Sequence, residues 1–123
     1  SEMYLEAKKL RQVGGNIGLL AHSAGNLAGV AAVLGDWSGA AQSFENVEAL
    51  WETLGELRMS TIGSLNYAEC MIELCERSES EEEKGSLLDQ ARERLSRAGD
   101  SIKKMGSKDL QGSLDELLKR LDD

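Results

Sequence analysis

The residue types that most often act as nucleophiles or soft metal ligands are rare here: one histidine, His22, and two cysteines, Cys70 and Cys75. Five residues apart on a helix, the cysteine side chains point in different directions, which argues against a disulfide or a shared metal site. Their spacing favours two buried thiols in a reducing cytosol. A lone histidine, with neither a CxxC nor an HExxH motif, provides no metal centre and no nucleophile–base pair.

Carboxylates are abundant, with 22 Asp and Glu residues against 14 Lys and Arg residues. General acid–base catalysis requires carboxyl groups that are buried or coupled, whereas these occupy positions expected to be exposed. The acidic segment 78–85, SESEEEKG, is typical of a solvated loop. No strand is predicted, so no phosphate-binding glycine turn follows one. We therefore predict a protein that is not an enzyme and takes no cofactor or metal ion.

The formal net charge of −8 limits the partners that this chain can bind. A phosphate backbone or an anionic membrane surface would be repelled, so the sequence predicts neither nucleic-acid nor membrane binding. No stretch reaches the roughly 18 uninterrupted apolar residues of a membrane span, and no signal peptide is visible. The expected partner is a protein or peptide of basic or apolar character, and the expected location is the cytoplasm.

The elements that must position any site are helices, because the chain has no proline and 41% hydrophobic residues. Apolar residues recur at three- and four-residue steps in segments separated by glycines or by the acidic loop. The six predicted helices cover residues 2–13, 16–34, 37–54, 57–77, 86–105 and 107–121. Gly14-Gly15 is expected to end the first helix, and Ser86 to begin the fifth. Turns this short predict antiparallel neighbours.

The sequence also repeats itself. Asn26-Leu27-Ala28 recurs 40 residues later as Asn66-Tyr67-Ala68, and the third helix resembles the fifth at an offset of 51 residues. The repeating unit is a helix hairpin within a single domain, 1–123. Its predicted parts are a half-repeat helix 1–14, repeats 16–55 and 56–106, and a capping helix 107–123. A plain helical bundle would also bury these stripes, but it does not require the recurrence.

The stretch 25–55 resembles a tetratricopeptide repeat (TPR) along its whole length. Its matching positions are Leu27 and Ala28 for the Leu-Gly pair of the family, Gly35-Asp36-Trp37 for the Gly-Asp-Tyr turn, and Ala40, Phe44 and Val47 for the Ala, Phe and Ala positions. The ending, LWETLG, is similar to the roughly 40-residue repeats of LuxR- and MalT-like bacterial regulators. The resemblance implies an all-α fold in which antiparallel hairpins stack as a right-handed α-α superhelix of about six helices.

The resemblance also implies a binding groove. In the family, the position before the Leu-Gly pair is often an asparagine whose amide contacts a bound peptide, and here this position is Asn26 in one unit and Asn66 in the next. Helical spacing adds neighbours on the same two faces. These neighbours are His22, Gly29 and Val33 beside Asn26, and Ile62, Glu69 and Glu73 beside Asn66. The second face is acidic, which favours a basic peptide.

The leading hypothesis is thus a non-catalytic protein- or peptide-binding scaffold, a regulatory fragment of a larger signalling or transcription protein. The alternative is a structural spacer or a self-association module that forms a homodimer, because the first helix lacks a partner that would complete its hairpin. A small-molecule pocket between the second and fourth predicted helices, opened by their glycines, is a third option.

Overall fold

The computed structural model describes residues 2–122, with side chains from residue 15 onward. The described chain is all-helical, as predicted, and contains five helices that pack against one another. They are α1 (Glu2–Val33), α2 (Trp37–Thr53), α3 (Leu57–Arg77), α4 (Glu81–Met105) and α5 (Lys108–Asp122). The predicted boundaries of the third and fourth helical segments agree with α2 and α3 to within one residue.

Three glycines make the turns at which helices end. Gly35, Gly55 and Gly106 have φ values of 82°, 70° and 65°, in the left-handed region that favours glycine. After Gly35, the Asp36 side chain accepts a 3.0 Å hydrogen bond from the Gly39 backbone N–H and caps α2. These predicted turns are confirmed, and each reverses the chain so that consecutive helices lie side by side.

The predicted break at Gly14-Gly15 does not occur. α1 runs without interruption through both glycines, so the segments 2–13 and 16–34 form one helix of 32 residues. A glycine ends a helix when it adopts a positive φ, and Gly15 does not. In a helix interior it only lowers stability, by about 1 kcal/mol relative to alanine. Neither α1 nor any other helix within residues 2–122 is long and apolar enough to cross a membrane.

The acidic segment 78–85 is not a loop over most of its length, which corrects the prediction. α4 begins at Glu81 rather than near Ser86, and the Ser80 side chain accepts a 3.2 Å hydrogen bond from the Glu83 backbone N–H. Three consecutive glutamates at 81–83 occupy the first turn, where the helix dipole favours negative charge. Residues 81–85 therefore lengthen α4.

Each helix packs against the next along the chain, and α3 also contacts α5. The larger core lies between α2, α3, α4 and α5, and its most deeply buried side chains include Leu95, Ile102 and Cys70. A smaller core joins α1 to α2, where Ala21 packs against Val47 and Trp51. The chain thus forms an array in which the middle helix, α3, is the best covered.

Candidate functional site

A cleft of about 170 Å³ lies between α1 and α3, with α2 beneath it. Both predicted asparagines, Asn26 and Asn66, line this cleft, together with His22 and Ile62. We call it the asparagine cleft. Its floor is apolar and comes from α2: Phe44, Val47 and Trp51. Four of the eight predicted site residues are therefore brought together at one place.

Small residues set the position of this cleft. Ala28 on α1 and Ala68 on α3, which correspond at the 40-residue offset, are both fully buried. Burial of these alanines leaves Asn26 and Asn66, two residues earlier, turned toward the rim. Gly63 brings α3 close to α2, because a Cβ at this glycine would lie only 3.3 Å from the backbone of Glu48. The α3 wall of the cleft is thus held close to the backbone of α2.

His22 packs edge-on against Trp51, with ring centroids 4.9 Å apart and planes inclined by 78°. Trp51 is 6% exposed and belongs to the core, whereas His22 is exposed at the rim. The tryptophan therefore fixes the orientation of the imidazole beside the asparagine cleft. A ligand in the cleft could reach the free edge of this ring.

A second cleft of about 180 Å³ shares Ile62 and Asn66 with the first and lies between α3 and α5. Glu69 from α3 and Glu116 from α5 face it, and we call it the acidic cleft. Within residues 15–122, neither glutamate forms an ion pair. Two carboxylates without a cationic partner attract a positively charged group.

Three predicted site residues line neither of these clefts. Val33 is 88% exposed near the end of α1, and Gly29 is partly buried there. Glu73 accepts hydrogen bonds from Arg77 and from Arg120, the latter at 3.0 Å across to α5. Burial acts to raise the pKa of Glu73, but the hydrogen bonds and charges of these arginines outweigh it and lower the pKa. The Glu73 carboxylate thus links α3 to α5 and faces neither cleft.

The most heavily engaged polar residue, Glu48, was missed at the sequence level. It is 4% exposed and accepts hydrogen bonds from Ser64 at 2.7 Å, Arg94 at 2.9 Å and Arg97 at 3.0 Å. This cluster joins α2, α3 and α4. The available signal was its spacing, since Glu48 is four residues after Phe44 and therefore lies on the apolar stripe of α2.

The two cysteines are buried and unpaired, as their spacing predicted. Burial, reinforced by the charges of Glu69 and Glu73, raises the pKa of the Cys70 thiol to about 12. The thiol therefore remains protonated and unreactive at neutral pH. No group of three or more His, Cys, Asp and Glu residues that could hold a metal ion occurs in the described part of the chain.

Larger openings lie along α5. One, of about 530 Å³, is an apolar groove between α4 and α5 lined by Leu114, Leu118 and Leu121. Another, of about 430 Å³, lies where Arg120 approaches Glu76. Neither contains a residue predicted to bind a ligand. They mark the end of the array, where no further helix covers α5 within residues 2–122.

Comparison with known proteins gives no match, whether to family models, to curated proteins or to solved structures. The two clefts and the residues that line them are therefore the direct basis for a functional proposal.

Proposed function

We propose that this chain is a non-catalytic helical-repeat module that binds an extended segment of another protein across α3. The proposal depends on one observation: Ile62 and Asn66 form a wall common to the asparagine cleft and the acidic cleft. A peptide that crosses this wall would contact both clefts. The first would hold its backbone through amide groups, and the second would receive a lysine or arginine side chain.

The chemistry of the two clefts supports this assignment. An asparagine amide both donates and accepts hydrogen bonds, so Asn26 and Asn66 can pair with the N–H and C=O groups of an extended backbone. In the acidic cleft, Glu69 and Glu116 provide charge complementarity to a basic side chain. This supports the predicted preference for basic peptides, although Glu73 does not contribute to it.

The size of the clefts argues against a small-molecule site. Volumes of about 170 and 180 Å³ are below the roughly 300–1,000 Å³ typical of pockets for drug-sized ligands. Shallow, paired depressions are better suited to side chains presented by a polypeptide. A catalytic role is disfavoured as well, because the residues that line the asparagine cleft include one exposed histidine and no nucleophilic side chain beside it.

We further propose that the array is of the tetratricopeptide kind and is a regulatory part of a cytoplasmic signalling or transcription protein. Its support is the 40-residue recurrence, which aligns two buried alanines, Ala28 and Ala68, and two cleft asparagines. The free thiols of Cys70 and Cys75 are consistent with a reducing compartment.

The test is selection from a randomised decapeptide library, followed by titration of the selected peptides into wild-type protein and single variants. We expect Asn66→Ala to weaken binding about tenfold or more, since each lost hydrogen bond contributes about 1 kcal/mol and a buried polar group of the peptide stays unpaired. Asn26→Ala should have a smaller effect in the same direction. Asn46→Ala on the exposed face of α2 is the matched control and should bind normally.

Neutralising a carboxylate distinguishes the contribution of the acidic cleft to binding from that of the asparagine cleft. Selected peptides should be enriched in lysine or arginine, and Glu69→Gln should reduce their affinity while increasing it for neutral analogues. Glu82→Gln, exposed on α4, controls for the overall charge. Peptides whose affinity is the same for wild type, Asn26→Ala and Asn66→Ala would show that binding occurs elsewhere.

A further inference from the structure

The outer face of α1, continued by Leu34 directly after the helix, carries six of the eight large hydrophobic residues that are exposed within residues 15–122. Six leucine and valine side chains on this face are between 55% and 88% exposed. They are Leu19, Leu20, Leu27, Val30, Val33 and Leu34. Such a contiguous patch is unusual on a monomer and marks an interaction surface.

The spacing within this patch is that of a helix-pairing seam. Leu20, Leu27 and Leu34 are seven residues apart, and Ser23 and Val30 lie between them at steps of three and four. A repeat of 3.5 residues keeps one stripe of a helix facing a partner helix along several turns. We call these five residues the α1 seam.

The same face of the repeat unit is covered elsewhere in the molecule. At the 40-residue offset, the seam positions 20, 27 and 30 correspond to Ser60, Tyr67 and Cys70 of α3, which are 7%, 8% and 1% exposed. Position 23 corresponds to Gly63, which packs against the Glu48 backbone of α2. On α3 this face therefore lies against other helices, whereas on α1 it is open.

Charge indicates which partner can cover the seam. Residues 12–35 contain no Asp, Glu, Lys or Arg, although the chain as a whole has a net charge of −8. Two copies of an acidic protein repel one another over most of their surfaces. The α1 seam is where two copies can meet without bringing like charges into contact.

The area is also sufficient for a dimer. At on the order of 100 Å² for each leucine or valine side chain covered, the four aliphatic residues of the seam together with the flanking Leu19 and Val33 remove about 600 Å² per protomer from water. Both protomers together then bury about 1,200 Å², the lower end of the range for specific protein–protein interfaces. In a twofold-symmetric (isologous) dimer the same patch is buried on both protomers, so its area is counted twice.

We propose that the α1 seam is the interface of a homodimer in which α1 pairs with α1 of a second copy. Leu27 is the middle leucine of the seam, so it faces its own counterpart when the two helices pair in register. Asn26 is four and seven residues from Val30 and Val33 and therefore lies at the edge of this interface. Asn66, on α3, lies outside it.

Sedimentation velocity over roughly three decades of concentration around the micromolar range tests this proposal. We expect a monomer–dimer equilibrium for the wild type. Leu27→Glu should raise the dissociation constant at least about 100-fold, because pairing would bury two unpaired carboxylates. Leu118→Glu alters an exposed leucine of α5 in the same way and should leave the equilibrium unchanged. Circular dichroism of both variants checks that the helices remain formed.

A crosslinking experiment does not depend on a disruptive substitution. Leu27→Cys with a short bis-maleimide should give covalent dimers, while Leu118→Cys should give only monomers, because Cys70 and Cys75 are buried. A wild-type chain that stays monomeric at the highest concentration would overturn the proposal. So would dimers that survive Leu27→Glu, or that Leu118→Glu dissociates equally. Asn66→Ala should leave the dimer intact, which separates this result from the proposed peptide binding.

Discussion

The two ends of this helical array are built differently. On the side of α1 that meets α2, the fully buried side chains are alanines such as Ala21 and Ala28, and the leucines of α1 face outward. In the region of α3, α4 and α5, large side chains such as Leu95 and Ile102 are almost completely buried. Hydrophobic stabilisation grows with the apolar area removed from water, so the second region is the more stable one.

Polar contacts increase this contrast. Glu48 joins α2 to α3 and α4 through Ser64, Arg94 and Arg97, and Glu73 joins α3 to α5 through Arg120. Residues 15–33 of α1 include no Asp, Glu, Lys or Arg, so this part of the helix forms no ion pair. It is held to α2 by apolar contacts, and covering its seam is the direct way to stabilise it.

Replacing a leucine by alanine in each of the two regions should give the largest difference in stability. Leu95→Ala is expected to lower the free energy of unfolding by about 2–5 kcal/mol, because it leaves a cavity in the larger core. Leu27→Ala, at low protein concentration, should change it by less than about 0.5 kcal/mol, because this side chain is 68% exposed. Urea denaturation followed by circular dichroism measures both values.

Raising the protein concentration sharpens this comparison. If the α1 seam pairs two copies, the loss of unfolding free energy caused by Leu27→Ala should increase with protein concentration, because the fraction of dimer rises. The loss caused by Leu95→Ala should not change. Equal costs for the two substitutions at low concentration would contradict the proposed division between a weakly and a strongly packed region.

Removing the buried carboxylate should have the next largest effect. Glu48→Ala is expected to cost about 2–4 kcal/mol, because it removes the buried carboxylate that accepts from Ser64 and Arg94. Ser64 then keeps only the Ser60 carbonyl at 3.2 Å, and Arg94 keeps only the exposed carboxylates of Glu45 and Glu93. Glu52→Ala, one turn later on the same helix, is the control; this residue is exposed and meets Arg97 only at 4.0 Å. A comparable loss of stability in both variants would mean that the effect reflects general charge and not the cluster.

Local sequence signals predicted much of this structure. Glycine turns at 35, 55 and 106 and the three- and four-residue spacing of apolar side chains located α2 and α3 well. The 40-residue recurrence placed Asn26 and Asn66 at corresponding positions of α1 and α3, and both line one cleft because these two helices pack against α2. These features depend only on helical periodicity and on positive φ at glycine.

The failures came from residues whose role depends on their surroundings. Gly15 was expected to help end a helix, but glycine permits a positive φ without requiring it. The glutamates at 81–83 suggested a loop by composition, whereas capping by Ser80 and the helix dipole stabilise them in a first turn. The partners that join Glu48 and Glu73 to other helices are 16 to 49 residues away along the chain, a distance over which periodicity gives no information.

Lowering the pH should produce the smallest of these effects on stability, and it should act through the ion pairs by which Glu73 joins α3 to α5. Since the arginines lower the pKa of this carboxyl in the folded state, its contribution to stability is present above the unfolded-state pKa of about 4.3 and is lost as pH falls through the folded-state value. Glu73→Gln should therefore cost about 1 kcal/mol at neutral pH, and the difference from wild type should vanish in acid.

Glu69→Gln is the matched control for this measurement, because Glu69 lies one turn earlier on α3 and forms no ion pair within residues 15–122. Thermal unfolding of the wild type and both variants between neutral pH and about pH 3 gives the comparison. A constant offset between wild type and Glu73→Gln over this range would mean that Glu73 stabilises through packing. A converging pair of curves would show that its ion pairs help to make the region of α3 and α5 more stable than α1.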